Sequence, residues 1–376
     1  MSRLLRLSKS CLSDLEKQAV MRVLDTELLG MGAEVQQFEQ ALTEFFGRPA
    51  VCIVNGTAAL HLAVQACGIS AGDEVLVQSH TYVASFQAIS ATGAKPIACD
   101  VDPSNLCMDW RSAERLVTAK TKAIMPVHFS GGVGDLDGIY AFADRHGLRV
   151  IEDAAHAFGT LKNGKRIGSF GDIACFSFDG IKNITSGEGG CIVTDDAEIL
   201  RQVRDARLLA VERDTEKRFS GQRSWEFDVV QQGWRYHMSN IMAAIGLIQL
   251  ERFPALATLR QRLALRYDHC FKGIDRIRPL SHDYSQVVPH IYVVRLPTVS
   301  DRNLLQKELL SRGIQTGVHY QPNHKLSFYG SHSLENGGLK ETDRIANHIL
   351  TLPLHPDLTE DDVDYICTQL IDLTLQ

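Results

Sequence analysis

Short apolar runs alternate with helical stretches through the first half of the chain. The run 51–54 leads through a turn into the helical stretch 58–64, and further apolar runs follow at 74–77, 96–99, 123–127 and 150–151. Short strands separated by helices are typical of βαβ units, which predicts an α/β fold with a mostly parallel sheet. Ligands of such sheets bind beyond the carboxyl ends of the strands.

Two later apolar runs, 174–178 and 191–194, flank a glycine-rich loop and are also predicted strands. The segment 212–237 is polar, charged and poorly periodic. Because long irregular segments often carry function, we predict that it is a mobile loop near the site.

A domain boundary is predicted at Phe253-Pro254. Helical patterns lie on both sides of this pair, and proline interrupts a helix. We therefore predict a large domain over 1–252 and a smaller C-terminal α/β domain over 253–376, which includes a strand at 290–295.

Composition and charge narrow the classes of function. The chain has 376 residues, 44% hydrophobic and 22% charged, which suffices for roughly two domains with a large core. A formal charge of -6 argues against nucleic acid as a partner. The nine cysteines include no CxxC pair and are predicted to be reduced thiols.

The sequence shows no targeting or anchoring segment. No apolar run approaches the ~18 residues of a membrane helix, and the start of the chain lacks the apolar core of a signal peptide. We therefore expect a cytoplasmic protein without a membrane partner.

Lys182 lies in a loop of glycine and small polar residues, and Asp153 follows the apolar pair 150–151. A lysine in a close-packed loop and an acid at a strand end are what pyridoxal phosphate (PLP) chemistry needs. The amine forms a Schiff base with the cofactor aldehyde, and the acid keeps the ring nitrogen protonated. The alternatives are a solvated surface lysine and a helix-capping carboxylate.

Other residues suit the rest of this cofactor. Gly56-Thr57 lies between a strand and a helix start, where free N–H groups favour a phosphate. Ser177 is a candidate for the same phosphate, Tyr82 for stacking on the ring, and His156 for packing beside the ring or bonding its phenolic oxygen. Each also has an ordinary structural explanation, as a helix cap, a strand serine, a core tyrosine or a structural histidine.

Rival motifs are incomplete. Gly132-Val133-Gly134 would need a glycine where Asp137 stands to form GxGxxG. The stretch 159–165 resembles a P-loop, but Arg166 replaces the Ser or Thr that holds magnesium. Its Asn-Gly pair favours a hairpin turn instead. Neither HExxH nor metal-type Cys/His spacing occurs in the sequence, so no metal is expected.

The ordered set of short motifs resembles the sugar aminotransferases of the DegT/StrS family over nearly the whole chain. The motifs that carry this resemblance are 33–39, Asn55-Gly56-Thr57, 72–75, Pro126-Val127-His128, 152–156, the Lys182 loop, 236–239, His319-Tyr320 and 352–354.

The resemblance implies the aspartate-aminotransferase type of PLP fold (fold type I) and a homodimer with active sites at the subunit interface. By matching motif positions, it assigns Lys182 to the Schiff base and Asp153 to the ring nitrogen. The further cofactor contacts that it implies are Tyr82 on the ring and Gly56, Thr57 and Ser177 on the phosphate.

One position departs from the family pattern. Many relatives have Asn-Tyr-Arg where this chain has Arg235-Tyr236-His237. In those relatives the asparagine reaches the phosphate of the partner subunit's cofactor. Arg235 is a charged hydrogen-bond donor that could bind the same phosphate.

The expected activity is transfer of an amino group from L-glutamate to a keto sugar. The loop 182–189 resembles that of members that aminate C4 of a nucleotide-linked 4-keto-6-deoxy sugar. A C3-keto sugar nucleotide, a free keto-sugar acid, dehydration, and a non-catalytic sugar-nucleotide-binding regulator are the alternatives. Candidate substrate contacts are His290, Arg295, His319 and His324.

Overall fold

The computed structural model describes residues 4–211, 228–229, 231–299, 301–330 and 338–375. Most of the segment predicted to be a mobile loop, 212–227 together with position 230, lies outside the described residues.

A seven-stranded sheet forms the centre of the large domain. Its strands, in chain order, are β1 (Ala50–Ile53), β2 (Glu74–Gln78), β3 (Lys95–Cys99), β4 (Thr121–Met125), β5 (Arg149–Asp153), β8 (Ile173–Ser177) and β9 (Gly190–Val193), where β6 (Leu161–Lys162) and β7 (Lys165–Arg166) form a separate hairpin. The order across the sheet is β1-β9-β8-β5-β4-β2-β3. Only β9 runs against its neighbours β1 and β8, so the predicted mostly parallel sheet is confirmed.

Helices cover both faces of this sheet. The large domain contains α1 (Asp14–Thr26), α2 (Ala33–Phe46), α3 (Gly56–Ala66), α4 (Val83–Ala91), α5 (Trp110–Ala113), α6 (Leu136–His146), α7 (Ala197–Ala206) and the first part of α8 (Asn240–Phe271). Alternate strand residues point to opposite faces. Val51 and Ile53 accordingly join the core beneath α3, whereas Ala50 and Cys52 join the core beneath α2.

The small domain is built on a three-stranded antiparallel sheet. Its strands are β10 (Arg278–Pro279), β11 (Tyr292–Arg295) and β12 (Ile349–Leu352), and its helices are α9 (Arg302–Ser311), α10 (Ser327–Gly330), α11 (Lys340–Ala346) and α12 (Glu360–Leu375). The start of the chain also packs here: Leu5 forms a parallel bridge with Ile314 and is buried in this core. The first described residues therefore associate with the C-terminal half of the chain.

The predicted helix break at Phe253-Pro254 is wrong, because α8 continues through Pro254. Proline removes one N–H donor and one intrahelical bond, and burial on both sides of it maintains the helix. Phe253 and Ala257 pack in the large-domain core, and Leu263 packs in the small-domain core. The change from one core to the other thus occurs within a single helix, between Ala257 and Leu263.

By length and composition alone, α8 is also apolar enough to cross a membrane. Its residues contribute to the cores of both domains, which is the behaviour of a core helix in a folded domain.

Candidate active site

A cavity of about 470 Å³ lies at the carboxyl ends of the central strands, between the large and small domains. The residues that line it are Asn55, Gly56, Thr57, Leu60, Thr81, Tyr82, Ala84, Val127, Asp153, Ala155, His156, Ser177, Asp179, Ile181, Lys182, Glu188, His290, His319 and Tyr320. The structure therefore brings together most of the residues that the sequence singled out.

Lys182 enters the cavity from the loop that follows β8. Its Nζ lies 3.3 Å from Nε2 of His290. Burial lowers the pKa of Lys182 to about 8, although the carboxylates of Asp153 and Asp179 favour its charged form. The amine therefore loses its proton far more readily than a solvated lysine does.

Asp153 is the last residue of β5 and is buried in the cavity wall. The hydroxyl of Ser85 donates to its Oδ2 at 2.7 Å, and the N–H of Ala155 donates to its Oδ1 at 3.2 Å. Burial raises the pKa of Asp153, and these two bonds oppose that rise. The carboxyl group is thus held in one orientation and can accept a further bond from a protonated ring nitrogen.

The preceding residue, Glu152, points to the other side of the strand. It lies 2.6 Å from Nε2 of His128 and accepts a 2.6 Å bond from the hydroxyl of Tyr140. These buried contacts hold the end of β5, and with it Asp153, in place.

An anion cradle forms where β1 passes into α3. Asn55 caps the helix by accepting the N–H of Ala58 at 2.8 Å. The N–H groups of Gly56 and Thr57 precede the first helical bonds and so have no intrahelical partners. A Cβ on Gly56 would lie 2.8 Å from Cβ of Ser177, so only glycine permits this close approach. The N–H groups of the first turn, the hydroxyl of Ser177 and the helix dipole together suit a phosphate.

Two aromatic rings and a histidine shape the opposite wall. Tyr82 lies 5.4 Å from Tyr320 between ring centroids and keeps 57% of its surface exposed. His156 accepts the N–H of Ser130 at its Nδ1, and its Nε2 lies 3.1 Å from the hydroxyl of Tyr320. Burial lowers the pKa of His156 well below its usual value and so favours the neutral ring. Both ring nitrogens thus have protein partners, and only the ring itself is available to pack beside a cofactor.

Three predicted site residues lie outside this cavity. Arg295 is at the far end of β11 from His290, where it donates to the Pro103 carbonyl and lines a separate cavity. His324 is held between the Ser79 hydroxyl and Asp343. These contacts hold both side chains outside the cavity of their own chain, and their role in substrate binding stays a prediction.

Arg235 also lies outside the cavity. It is exposed, and its backbone bridges that of Leu208. Within one chain its guanidinium does not belong to the cavity wall.

The structure adds residues that the sequence did not single out for the site. Asp179 and Glu188 flank Lys182 in its own loop, and Tyr320 adjoins His319. Each of these residues adjoins a motif recognised in the sequence, and this position was the signal by which it could have been predicted. Ser85 offered none, because its role depends on a contact with a residue 68 positions away.

The donor set fits a flat, phosphate-bearing aldehyde. An amine with lowered pKa, a buried carboxyl group and an N–H cradle face one cavity that also presents an aromatic ring. Lys182 would hold the aldehyde carbon, Asp153 the ring nitrogen, and the start of α3 the phosphate.

Comparisons with known proteins agree with this reading of the cavity. A model of the DegT/DnrJ/EryC1/StrS aminotransferase family matches residues 10–371. The spore coat polysaccharide biosynthesis protein SpsC of Bacillus subtilis (strain 168) is 36% identical over 370 residues, which cover 95% of this chain and 94% of SpsC.

Solved structures are similar over nearly their whole length. Spr1654 of Streptococcus pneumoniae, described as a sugar aminotransferase, matches in its PLP form with a TM-score of 0.92 and 30% identity over 99% of both chains. PseC of Helicobacter pylori, an aminotransferase involved in the biosynthesis of pseudoaminic acid, matches with a TM-score of 0.91 and 26% identity over 99% of this chain and 100% of PseC.

These matches confirm the family, the α/β fold and the cofactor that the sequence led us to expect. They set aside the non-catalytic alternative, since the family and its solved members are aminotransferases. The chain therefore belongs to the DegT/DnrJ/EryC1/StrS aminotransferase family and is a PLP-dependent sugar aminotransferase.

Proposed function

We propose that the enzyme transfers the amino group of L-glutamate to C4 of a nucleotide-linked 4-keto-6-deoxy sugar in the cytoplasm. The observation that carries the transfer itself is the Lys182 amine, which has a lowered pKa and faces the same cavity as the buried Asp153. The resemblance of the loop 182–189 to C4-aminating members supports the choice of carbon. The nine cysteines are free thiols, as suits a reducing compartment.

The charged groups of the cavity bear on the choice of substrate. Lys182 is the only lysine or arginine among the described lining residues, whereas Asp179 and Glu188 add carboxylates beside it. Carboxylates accept hydrogen bonds from sugar hydroxyls. Within one chain this balance suits the hydroxyl groups of a sugar, whereas a carboxylate, whether of glutamate or of a keto-sugar acid, needs a cation from outside the described lining.

Different residues of the chain are assigned to cofactor binding and to proton transfer. When bound, PLP supplies an aldehyde that carries the amino group and a ring that accepts electrons. Asp153 would hold the ring nitrogen, the first turn of α3 and Ser177 would hold the phosphate, and Tyr82 would pack against the ring. The Nζ of Lys182 would take and return the proton of the reacting substrate carbon as general base and acid.

We also propose a homodimer in which Arg235 serves the partner's site. The glutamate carboxylates and a nucleotide diphosphate need cations that the described lining of one chain does not contain beyond Lys182. Arg235 is exposed and outside its own cavity, so its guanidinium is free to approach a second copy.

A panel of keto sugars tests the substrate. We expect the purified protein to be yellow and to release 2-oxoglutarate from L-glutamate fastest with a nucleotide-linked 4-keto-6-deoxy sugar, with the amino sugar identified by mass spectrometry. Lys182→Ala should abolish turnover with every substrate. Faster amination of a C3-keto nucleotide or a free keto-sugar acid would contradict the proposed substrate, and an active Lys182→Ala enzyme would refute the role of the lysine.

Hybrid dimers test the shared site. Lys182→Ala and Arg235→Ala chains carrying different affinity tags are co-expressed, and the hybrid is purified through both tags. If Arg235 reaches across the interface, one site of the hybrid combines an intact Lys182 with an intact Arg235, and activity should recover to about half that of the wild type. If Arg235 acts within its own chain or not at all, the only site with an intact Lys182 also carries the Arg235→Ala change. The hybrid would then show no more than half the activity of the Arg235→Ala homodimer, which would contradict the shared site.

Ser85→Ala tests the role of Asp153. Loss of the Ser85 bond removes support for the Asp153 carboxylate, so the pKa of Asp153 rises further above its usual value. The charged form is then lost at a higher pH on acidification. We expect PLP affinity to fall about tenfold near neutral pH, with the drop in affinity at acidic pH displaced upward, as measured by spectroscopic titration of cofactor-free protein.

The control for this experiment is Ser90→Ala. Ser90 lies on the same helix, but its hydroxyl donates to the Phe86 carbonyl and adjoins Tyr329 instead of the carboxylate. This variant should bind PLP as the wild type does. Unchanged affinity of Ser85→Ala at all pH values would count against Asp153 as the ring-nitrogen partner.

A further inference from the structure

Arg260 lies in the middle of α8, at the point where the helix passes from one core to the other, and it is 2% exposed. Its Nη1 donates to the carbonyl of His290 at 3.2 Å and to that of Leu354 at 3.3 Å. Its Nη2 donates to the carbonyl of Lys182 at 3.5 Å. One guanidinium therefore connects the lysine loop to two segments of the small domain.

Arg260 differs from the other well-buried arginines of the described chain. Arg48 and Arg207 each bond to a carboxylate, Asp195 and Glu39 respectively. Arg252, which lies two turns earlier on α8 and is only partly buried, pairs with Glu16. Within the described residues Arg260 forms no ion pair and donates only to backbone carbonyls.

The charge of Arg260 is thus buried without a counter-ion. Burial lowers its pKa to about 10, which still leaves the guanidinium charged at neutral pH. A buried charge without a partner is costly to folding. An apolar side chain could fill the same space without the free-energy cost of burying a charge. A role that requires the positive charge of Arg260 would account for this cost.

Several charged and titratable groups around Lys182 affect the protonation of its amine. Burial has the largest effect on the pKa of Lys182 and lowers it; Asp153 on β5 and Asp179 in the lysine loop oppose this by favouring the charged amine, and Arg260 adds to the lowering. Glu188 and Tyr320 line the same cavity. The histidines of this lining are His156, His290 and His319, and the pKa of each is lowered first by burial and then by the nearby Lys182. Arg260 is therefore the permanent positive charge in this set.

We propose that Arg260 is a positioning residue for the aminotransferase reaction, whose buried charge favours the neutral, nucleophilic form of the Lys182 amine while its bonds fix the Lys182 backbone against the small domain. A neutral amine is the form that attacks a carbonyl carbon. The inference rests on the proposed role of Lys182 and not on the identity of the sugar.

The test measures the protonation of Lys182 directly, in full-length protein freed of cofactor. Trace acetic anhydride acetylates only neutral amines, and peptide mass spectrometry reports the labelled fraction of Lys182 at each pH. The exposed Lys307 in the same sample is the internal reference. No substrate turnover enters this measurement.

Two substitutions separate charge from bonding. Arg260→Met removes both, whereas Arg260→Gln removes the charge and keeps an amide donor for the carbonyls. Arg262→Met is the matched control, because it removes a charge from the same helix at a solvent-exposed position that faces Glu360. Thermal denaturation monitored by circular dichroism verifies folding, and the Gln variant decides the question if the Met variant does not fold.

We expect the pH of half-maximal labelling of Lys182 to rise by about one pH unit in both Arg260 variants. The pH of half-maximal labelling should not change for Lys307 in any of the proteins, nor for Lys182 in the Arg262→Met variant. An unchanged labelling pH in both Arg260 variants would overturn the proposal, as would a shift in the Met variant that the Gln variant abolishes, since bonding alone would then be responsible. A negative result leaves the assignment of Lys182 intact, because the Lys182→Ala assay tests that assignment separately.

Discussion

The structure depends on placing one lysine amine and one carboxyl group in the same water-poor cavity. Burial disfavours the charged form of each, lowering the pKa of Lys182 and raising that of Asp153, whereas their attraction opposes both shifts. The pair comes together because β5 and β8 are parallel neighbours, with Asp153 in register with Cys175. Their carboxyl ends meet at one edge of the sheet, and the loop after β8 returns Lys182 over Asp153.

The surrounding elements maintain this arrangement from three sides. Below it, the contacts of Glu152 with His128 and Tyr140 anchor the end of β5. Beside it, the close approach of Gly56 to Ser177 places the anion cradle against the same edge. Above it, the small domain supplies His290, His319 and Tyr320 to the cavity. The long helix α8 joins the two domains without interruption, so one continuous helix connects the two cavity walls.

Much of the large domain could be predicted from the sequence, because its evidence is local. Short apolar runs indicate buried parallel strands, and the motifs at their ends locate Gly56, Asp153 and Lys182 at one edge. The Asn163-Gly164 pair likewise indicated a hairpin, which is present between β6 and β7 with both residues at positive φ.

The structure differs from the expectations where distant contacts override local preference. Pro254 normally interrupts a helix, yet the packing of Phe253 and Leu263 in two cores carries α8 across it. Arg295 and His324 have suitable chemistry, but contacts with Pro103 and Ser79 hold them elsewhere. Ser85 and Arg260 carry no local signal at all, since each acts through a residue far away in sequence.

The most direct test of the account is to locate the covalent link between protein and cofactor. Borohydride reduction of the PLP-loaded enzyme makes this link permanent, and peptide mass spectrometry then identifies the modified residue. The account predicts that the peptide containing Lys182 carries the cofactor. Modification of a different lysine, or a fully loaded enzyme in which the Lys182 peptide remains unmodified, would contradict it.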